Sequence, residues 1–362
     1  MDNAPRGALL HIRTINTYKQ RYTAMGKSKI IYGGLKGLDQ ELRRAEWADA
    51  RYTIVVDENT FNHCLPQLVS NVAALQEAEL VEIPSGEEGK SIEVASQVWQ
   101  TLAESGGDRN TVIVNLGGGS ICDLGGFVAA AYKRGIRHIN IPTTLLAMAD
   151  AAIGGKTAID FGGIKNSIGF FHPASVVTLE TGFLATLPQE ELLNGMMEMV
   201  KTAAVTDASL YDILTHTSTL EPKTVKEVAR MKARIVKADP YDHSIRHILN
   251  FGHTFGHAIE QYSTTMPHGI AVGIGMLAAM YLSMRKTGLD EKVYTDYRDW
   301  LRRAVEIPHY DLRDIEQMLP LMHHDKKNSH GETRCVLLQE LGAAIIDVSV
   351  SDNEIRDTLL HL

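Results

Sequence analysis

Cysteine is scarce. Cys64, Cys122 and Cys335 stand far apart, so no disulfide framework and no CxxC metal site is implied, and a reducing cytoplasm fits. Cys122, beside a glycine cluster, is expected to pack rather than react. A basic excess is also lacking: Lys and Arg total 36 against 44 Asp and Glu, for a net charge of -8, with the basic residues scattered. Nucleic-acid backbones demand clustered cations on one face, which argues against such a partner. The longest uncharged apolar run, Gly269 to Met284, is shorter than the ~20 residues a membrane span needs and reads as a buried core helix. The opening MDNAPRGALLHIRT lacks a long apolar stretch behind a basic end, so no signal peptide is expected. There is no internal repeat or low-complexity tract. What remains is a globular chain of 362 residues, 44% hydrophobic, expected to form two domains, residues 1–180 and 181–362.

The chain is organised around NLGGGSICDLGGFVAAAYK, from Asn115 to Lys133. An apolar run stops at Gly117, Gly118 and Gly119, and an alanine-rich segment follows. Where a strand ends in glycines and a helix begins, outward N–H groups in a partly positive field suit a pyrophosphate. The same pattern also makes ordinary strand-to-helix turns, and it is not the G-x-G-x-x-G fingerprint.

From Lys29 to about Glu180, short apolar runs alternate with amphipathic stretches, the signature of an α/β unit. Strands are predicted at KIIYGG, YTIVVD, ELVEIP, TVIVNL, HINIP and SVVTLE. Asp57 and Asn59 follow the second and Glu87 and Lys90 the third, where such a sheet places its ligand crevice, though Asp and Asn there also cap helices. From Gly154 to Pro173 a hairpin or loop embeds Lys156, Lys165 and Asn166 among Gly, Ile and Phe, and its lysines are candidates for holding an anion. Beyond Thr181 helices are predicted at 188–215, 221–237, 253–262, 269–286 and 290–304. Two closing strands with a turn at Leu341 and Gly342 precede a helix from Ser351 to Leu360. The fold class is thus an α/β, Rossmann-like N-terminal domain followed by a mainly helical one.

Glu198 and Lys201 share a helical face (i, i+3) whose neighbours are apolar. His253 and His257 (i, i+4) share another, and His268 follows. Three histidines and a glutamate from separate helices could supply the ligands of a catalytic zinc with an open position. HTFGH lacks the glutamate base of H-E-x-x-H, so peptidase chemistry is disfavoured.

GGGSICDLGGF, YKRG, IPTTLLA, GGKT, KN, GMMEMVK, IRHILNFGHTFGHAIE, PHG and DKK occur in the order of the 3-dehydroquinate synthases, and the chain resembles that family from Asp57 to Lys327. The resemblance implies an NAD-binding α/β domain, a helical metal domain and a cytoplasmic homodimer. It implies NAD contacts at Asp57, Asn59, Glu87, Lys90, Gly118, Gly119, Asp123, Thr143, Thr144, Lys165, Phe183, Thr186, Leu187 and Glu191. Glu198, His253 and His268 match ligands for zinc, with cobalt as the alternative metal. Asp150, Lys156, Asn166, Lys201, Lys232, Arg246, Asn250, His257 and one of Lys326 and Lys327 match groups around the substrate. Arg134 matches an arginine that reaches the neighbouring subunit's site.

The implied reaction converts 3-deoxy-D-arabino-heptulosonate 7-phosphate into 3-dehydroquinate and phosphate, the second step of the shikimate pathway. It runs by transient oxidation with NAD, β-elimination of phosphate, re-reduction and aldol closure. Lys156, Lys201, Lys232 and Arg246 suit a phosphorylated sugar acid bearing two anionic groups. A polyol dehydrogenase would not need so many cations, and a cyclase for a neutral sugar phosphate would have no carboxylate to bind. A non-catalytic relative would be marked by loss of a metal ligand or of Lys156, and none is lost.

Overall fold

The computed structural model describes residues 28–217, 219–263, 265–323 and 333–362. All six apolar runs predicted as strands pair into one parallel sheet. They are β1 (Lys29–Ile31), β2 (Arg51–Val56), β3 (Glu79–Glu82), β4 (Thr111–Gly117), β5 (Arg137–Pro142) and, after a hairpin, β8 (Val176–Thr178). The sheet order is β1-β8-β5-β4-β2-β3. Every residue of β4 is buried, as a strand covered on both faces requires. Side chains alternate between two cores: Ile54, Val56, Val112 and Val114 face one, Val55 and Ile113 the other. Strand order reverses between β2 and β4, and a ligand crevice belongs at their carboxyl ends.

The covering helices of this half are α1 (Gly34–Leu42), α2 (Glu58–His63), α3 (Leu65–Asn71), α4 (Ile92–Glu104) and α5 (Gly119–Ala131). The expected hairpin leaves the sheet between β5 and β8 as β6 (Lys156–Phe161) and β7 (Ile164–Phe171), antiparallel. Gly162 and Gly163, at φ 62° and 77°, form its two-residue turn, where any other residue would be strained.

The second half is helical: α6 (Gln189–Thr206), α7 (Ala208–His216), α8 (Pro222–Ala238), α9 (His253–Ser263), α10 (His268–Lys286), α11 (Glu291–Ala304), α12 (Leu312–His323) and α13 (Asp352–Leu360), with β9 (Thr333–Glu340) paired to β10 (Ala343–Val350). The single helix expected over 188–215 is two. Asp207 adopts extended backbone, and its Oδ1 accepts from the amides of Ser209 and Leu210, so it caps α7 and ends α6. The apolar run at 269–284 is the buried α10, and no described helix is long and apolar enough to cross a membrane. Close contact between α9 and α10 depends on glycine: a Cβ on Gly275 would lie 2.1 Å from the Gly252 carbonyl oxygen. That approach brings His253 and His257 to the start of α10.

Candidate active site

The residues expected to contact a nucleotide gather at the carboxyl edge of the sheet. Gly118 precedes α5 and offers no side-chain cap, leaving first-turn amides directed outward at a partly positive helix end. Glycine is needed there for space as well: a Cβ on Gly118 would lie 3.1 Å from Thr144 Cγ2, and one on Gly119 3.2 Å from Ala151 Cβ. Thr143 donates its amide to the Gly117 carbonyl, and Thr144 Oγ1 accepts from the Ala147 amide. Asp57 does cap α2, accepting the Thr60 amide at 2.8 Å, so capping and ligand binding coexist as readings of that position. Asn59 lies 3.4 Å from Ser85 Oγ, and Glu87 accepts from Ser120 Oγ at 3.1 Å. Buried Lys90 donates to Asp123 at 3.0 Å and to Asn166 Oδ1 at 2.6 Å, tying the crevice to the hairpin. Phe183 is buried in a turn with exposed Thr186 and half-buried Leu187, and Glu191 accepts from Asn194 at 3.4 Å. Cys122 is buried, which pushes its thiol up, as a packing residue requires.

Next to Gly119 lies a cluster of buried charge. Asp150 sits in a π-helical turn, Ala147–Ala151, held from the sheet: Asn115 Nδ2 donates to Asn140 Oδ1, and Asn140 Nδ2 to the Ala152 carbonyl. Its Oδ1 lies 3.3 Å from Lys201 Nζ and 2.7 Å from Lys232 Nζ. Burial raises the Asp150 carboxyl, but the two lysines outweigh it and hold the group well below the usual carboxylate range. Burial also acts on Lys232, and with Lys201 beside it lowers that ammonium to about 8 despite Asp150. Lys201 keeps a raised value against burial because both Asp150 and Glu198 pair with it.

Buried Arg246 donates to the carbonyls of Gly154 and Pro240 at 3.0 Å each. Its loop is fixed by Asp239, which accepts the amides of His243, Ser244 and Arg246. Lys156 pairs with Asp242, and Asn250 is half-buried just before α9. Arg134 is exposed on a turn where it and Lys133 both take positive φ. Lys326 and Lys327 lie outside the described residues.

The cation cluster passes through Glu198 to the histidines. His253, His257 and His268 place ligand nitrogens within 4.8 Å of one another. Glu198 Oε1 lies 3.6 Å from His253 Nε2 and 3.4 Å from His268 Nε2. His253 Nδ1 faces the Phe251 carbonyl at 3.3 Å and His268 Nδ1 faces Glu260 Oε2 at 2.9 Å, which turns both Nε2 atoms toward Glu198. Burial lowers His268, yet Glu198 and Glu260 raise it to about 9, so this ring lies where positive charge is favoured. Such nitrogen and carboxylate donors fit zinc or cobalt. His257 falls within the same reach as the sequence-matched ligands.

Sequence reasoning passed over Glu260, Asp239, Asp242 and the Asn115–Asn140 pair. A signal existed for Glu260, which follows His253 and His257 at i+7 and i+3 on one helical face.

The parallel sheet with a glycine turn at its crevice, joined to a helical half that carries a cluster of His and Glu donors, has the fold of the sugar-phosphate cyclases, as two solved structures show. The chain aligns with 2-epi-5-epi-valiolone synthase from Streptomyces hygroscopicus subsp. jinggangensis, solved with NAD+ and Zn2+ bound, at TM-score 0.82 and 26% identity over 96% of this chain and 99% of that one. A 2-deoxy-scyllo-inosose synthase solved with carbaglucose-6-phosphate, NAD+ and Co2+ shares the fold at TM-score 0.80 and 22% identity, over 92% and 96% of the chains. The family described as 3-dehydroquinate synthase N-terminal matches residues 80–194, and 3-dehydroquinate synthase C-terminal matches 195–328. A 3-dehydroquinate synthase of Parabacteroides distasonis is 38% identical over 84% of this chain and 89% of its own length. The chain belongs to the 3-dehydroquinate synthase family.

Proposed function

We propose that the chain carries out its family's reaction, converting 3-deoxy-D-arabino-heptulosonate 7-phosphate into 3-dehydroquinate and phosphate, with the residue roles expected from the sequence. One observation carries this reading: Gly119 lies close against Ala151, in the turn that bears Asp150, and from Asp150 contacts run through Lys201 and Glu198 to the histidines. Nucleotide and metal ends would thus flank one cation-rich cluster.

Bound there, NAD would supply reversible hydride transfer and a divalent metal would polarise a substrate hydroxyl. Gly118 and Gly119 would admit the pyrophosphate, and Asp57, Asn59, Glu87, Lys90, Asp123, Thr143, Thr144, Lys165, Phe183, Thr186, Leu187 and Glu191 would hold the remainder of the nucleotide. Glu198, His253 and His268 would hold the metal, zinc in our reading, and His257 would stand on the substrate side. Lys232, Lys201, Arg246 and Lys156 would bind the carboxylate and phosphate, with Asp150 keeping two of these ammonium groups close together. Asn166 and Asn250 would orient hydroxyls. Because Lys232 Nζ holds its proton only below about pH 8, it would be the anion clamp most sensitive to mild alkali.

We also propose a division near residue 180, a cytoplasmic location and a homodimer in which Arg134 serves the neighbouring site. The hairpin supports the dimer: Phe161 and Ile164 are 55% and 58% exposed, and Ile168, Phe170 and Phe171 are exposed with them. The test of function supplies substrate and catalytic NAD to the metal-loaded protein while following phosphate, dehydroquinate and nicotinamide absorbance. Equal phosphate and dehydroquinate without net NADH is expected. Accumulating NADH without phosphate would overturn the cyclase reading.

A further inference from the structure

Glu260 lies on α9 one turn beyond His257, with its side chain 12% exposed. Its Oε2 sits 2.9 Å from His268 Nδ1, and its Oε1 sits 2.7 Å from Lys165 Nζ on the hairpin. We infer that Glu260 is a positioning residue for the metal, fixing the His268 ring by accepting the proton on Nδ1 so that Nε2 is the nitrogen presented beside Glu198. This rests on the reading of His268 as a metal ligand.

The geometry leaves His268 one useful orientation. Flipping its ring would set a C–H against the Glu260 carboxylate and forfeit a charge-assisted hydrogen bond. A neutral imidazole has one N–H and one lone pair, so engaging Nδ1 as the donor assigns the lone pair to Nε2. Nε2 then faces Glu198 Oε1 at 3.4 Å, and His253 Nε2 faces the same oxygen at 3.6 Å. The neighbouring carboxylate also makes the imidazole a stronger donor to a cation, a role that carries 10–100-fold in affinity at other metal sites. Lys165 satisfies the far oxygen of Glu260, which leaves Oε2 committed to the histidine.

Zinc affinity of the metal-stripped, full-length protein, measured by competition with a chromophoric chelator, tests the inference without reference to turnover. Glu260→Ala is expected to weaken zinc by roughly 10–100-fold and to alter the visible spectrum of the cobalt-loaded protein. Lys165→Ala is expected to stay within about threefold of the unaltered protein, since it leaves the His268 contact in place. Zinc affinity within threefold in Glu260→Ala, with His268→Ala losing zinc, overturns the inference and leaves the ligand reading standing. Unchanged affinity in His268→Ala overturns both. A loss in Lys165→Ala equal to that in Glu260→Ala also overturns it, by moving the effect to the ion pair with the hairpin. Should Glu260→Ala fail to fold, Glu260→Leu, which fills similar space without an acceptor, carries the test: a loss of about threefold or more supports the inference, and full affinity overturns it.

Discussion

Replacing Asp239 with Ala removes the acceptor that shapes the loop leading to Arg246. The carboxylate takes the amides of His243 at 3.0 Å, Ser244 at 2.7 Å and Arg246 at 3.2 Å. Burial raises this carboxyl, but the three amides outweigh it and lower the group from 3.8 to about 2. A carboxyl lowered on folding stabilises the protein above its unfolded value, and that contribution is lost as pH falls toward the folded one. The full shift corresponds to roughly 2.5 kcal/mol, and solvent screening at this surface loop discounts it to about 1–2 kcal/mol. Orphaning the amide of buried Arg246 adds about 1–2 kcal/mol, so a total near 2–4 kcal/mol is expected at neutral pH. With about 2.1 cal/mol/K of unfolding entropy per residue, a chain of this length should melt about 3–5 °C lower. Thermal unfolding should show that drop at pH 7, shrinking from about pH 4, where the unfolded chain's carboxyl takes a proton, to about pH 2, where the native one does. KM should rise several-fold as Arg246 loses its seat. A melting point within 1 °C of the original at pH 7, together with an unchanged KM, would refute the reasoning.

Three other outcomes follow from the site. The kcat/KM profile should fall as pH rises through about 8, where buried Lys232 gives up its proton, and Lys232→Arg should carry that limb to higher pH; an identical limb in the variant would clear Lys232 of the role. Gly252→Ala should lower both melting temperature and bound metal, because Gly252 has φ 79° and its Cβ would meet Met276 N at 2.8 Å and the Val272 carbonyl oxygen at 2.9 Å; full metal content in a stable variant would contradict this. Mixed dimers of Arg134→Ala and Lys156→Ala subunits should regain part of the activity that each homodimer lacks, whereas verified mixed dimers with none would return Arg134 to its own subunit's site.

The parallel sheet was legible because β2, β4 and β5 are apolar runs closed by polar or glycine punctuation, and a strand buried on both faces needs little else. The hairpin was legible from GGKT, FGG and the aromatic close. Periodicity failed at Asp207, since apolar residues continue on both sides of a cap whose action depends on two local amides. α12 went unread although its buried face carries Ile315, Met318, Leu319 and Met322, with Pro320 inside the pattern. In the site, order along the chain pointed to the charged groups, yet their pairing was hidden. Asp150 lies far in sequence from Lys201 and Lys232, and only the fold shows that one carboxylate gathers both. Asp239 escaped because it acts on an amide loop and leaves no spacing of its own, whereas Glu260 shares the helical face of His253 and His257 but acts only through an imidazole.

The β6–β7 hairpin departs from the nucleotide sheet, yet its polar residues find partners on both sides. Lys90 reaches Asn166, while Lys156 and Lys165 pair with Asp242 and Glu260 of the helical half. A growing chain that has just completed β8 therefore owns a glycine turn and half a hairpin's anchors, with no Glu198 and no histidine cluster. On the proposed residue roles, hydride acceptor and substrate hydroxyl would not be set against each other until the later half has docked. Redox competence would thereby be delayed to the end of synthesis, and a graft exchanging one half for a relative's would have to rematch these cross-strapped pairs before any bound nucleotide did chemistry.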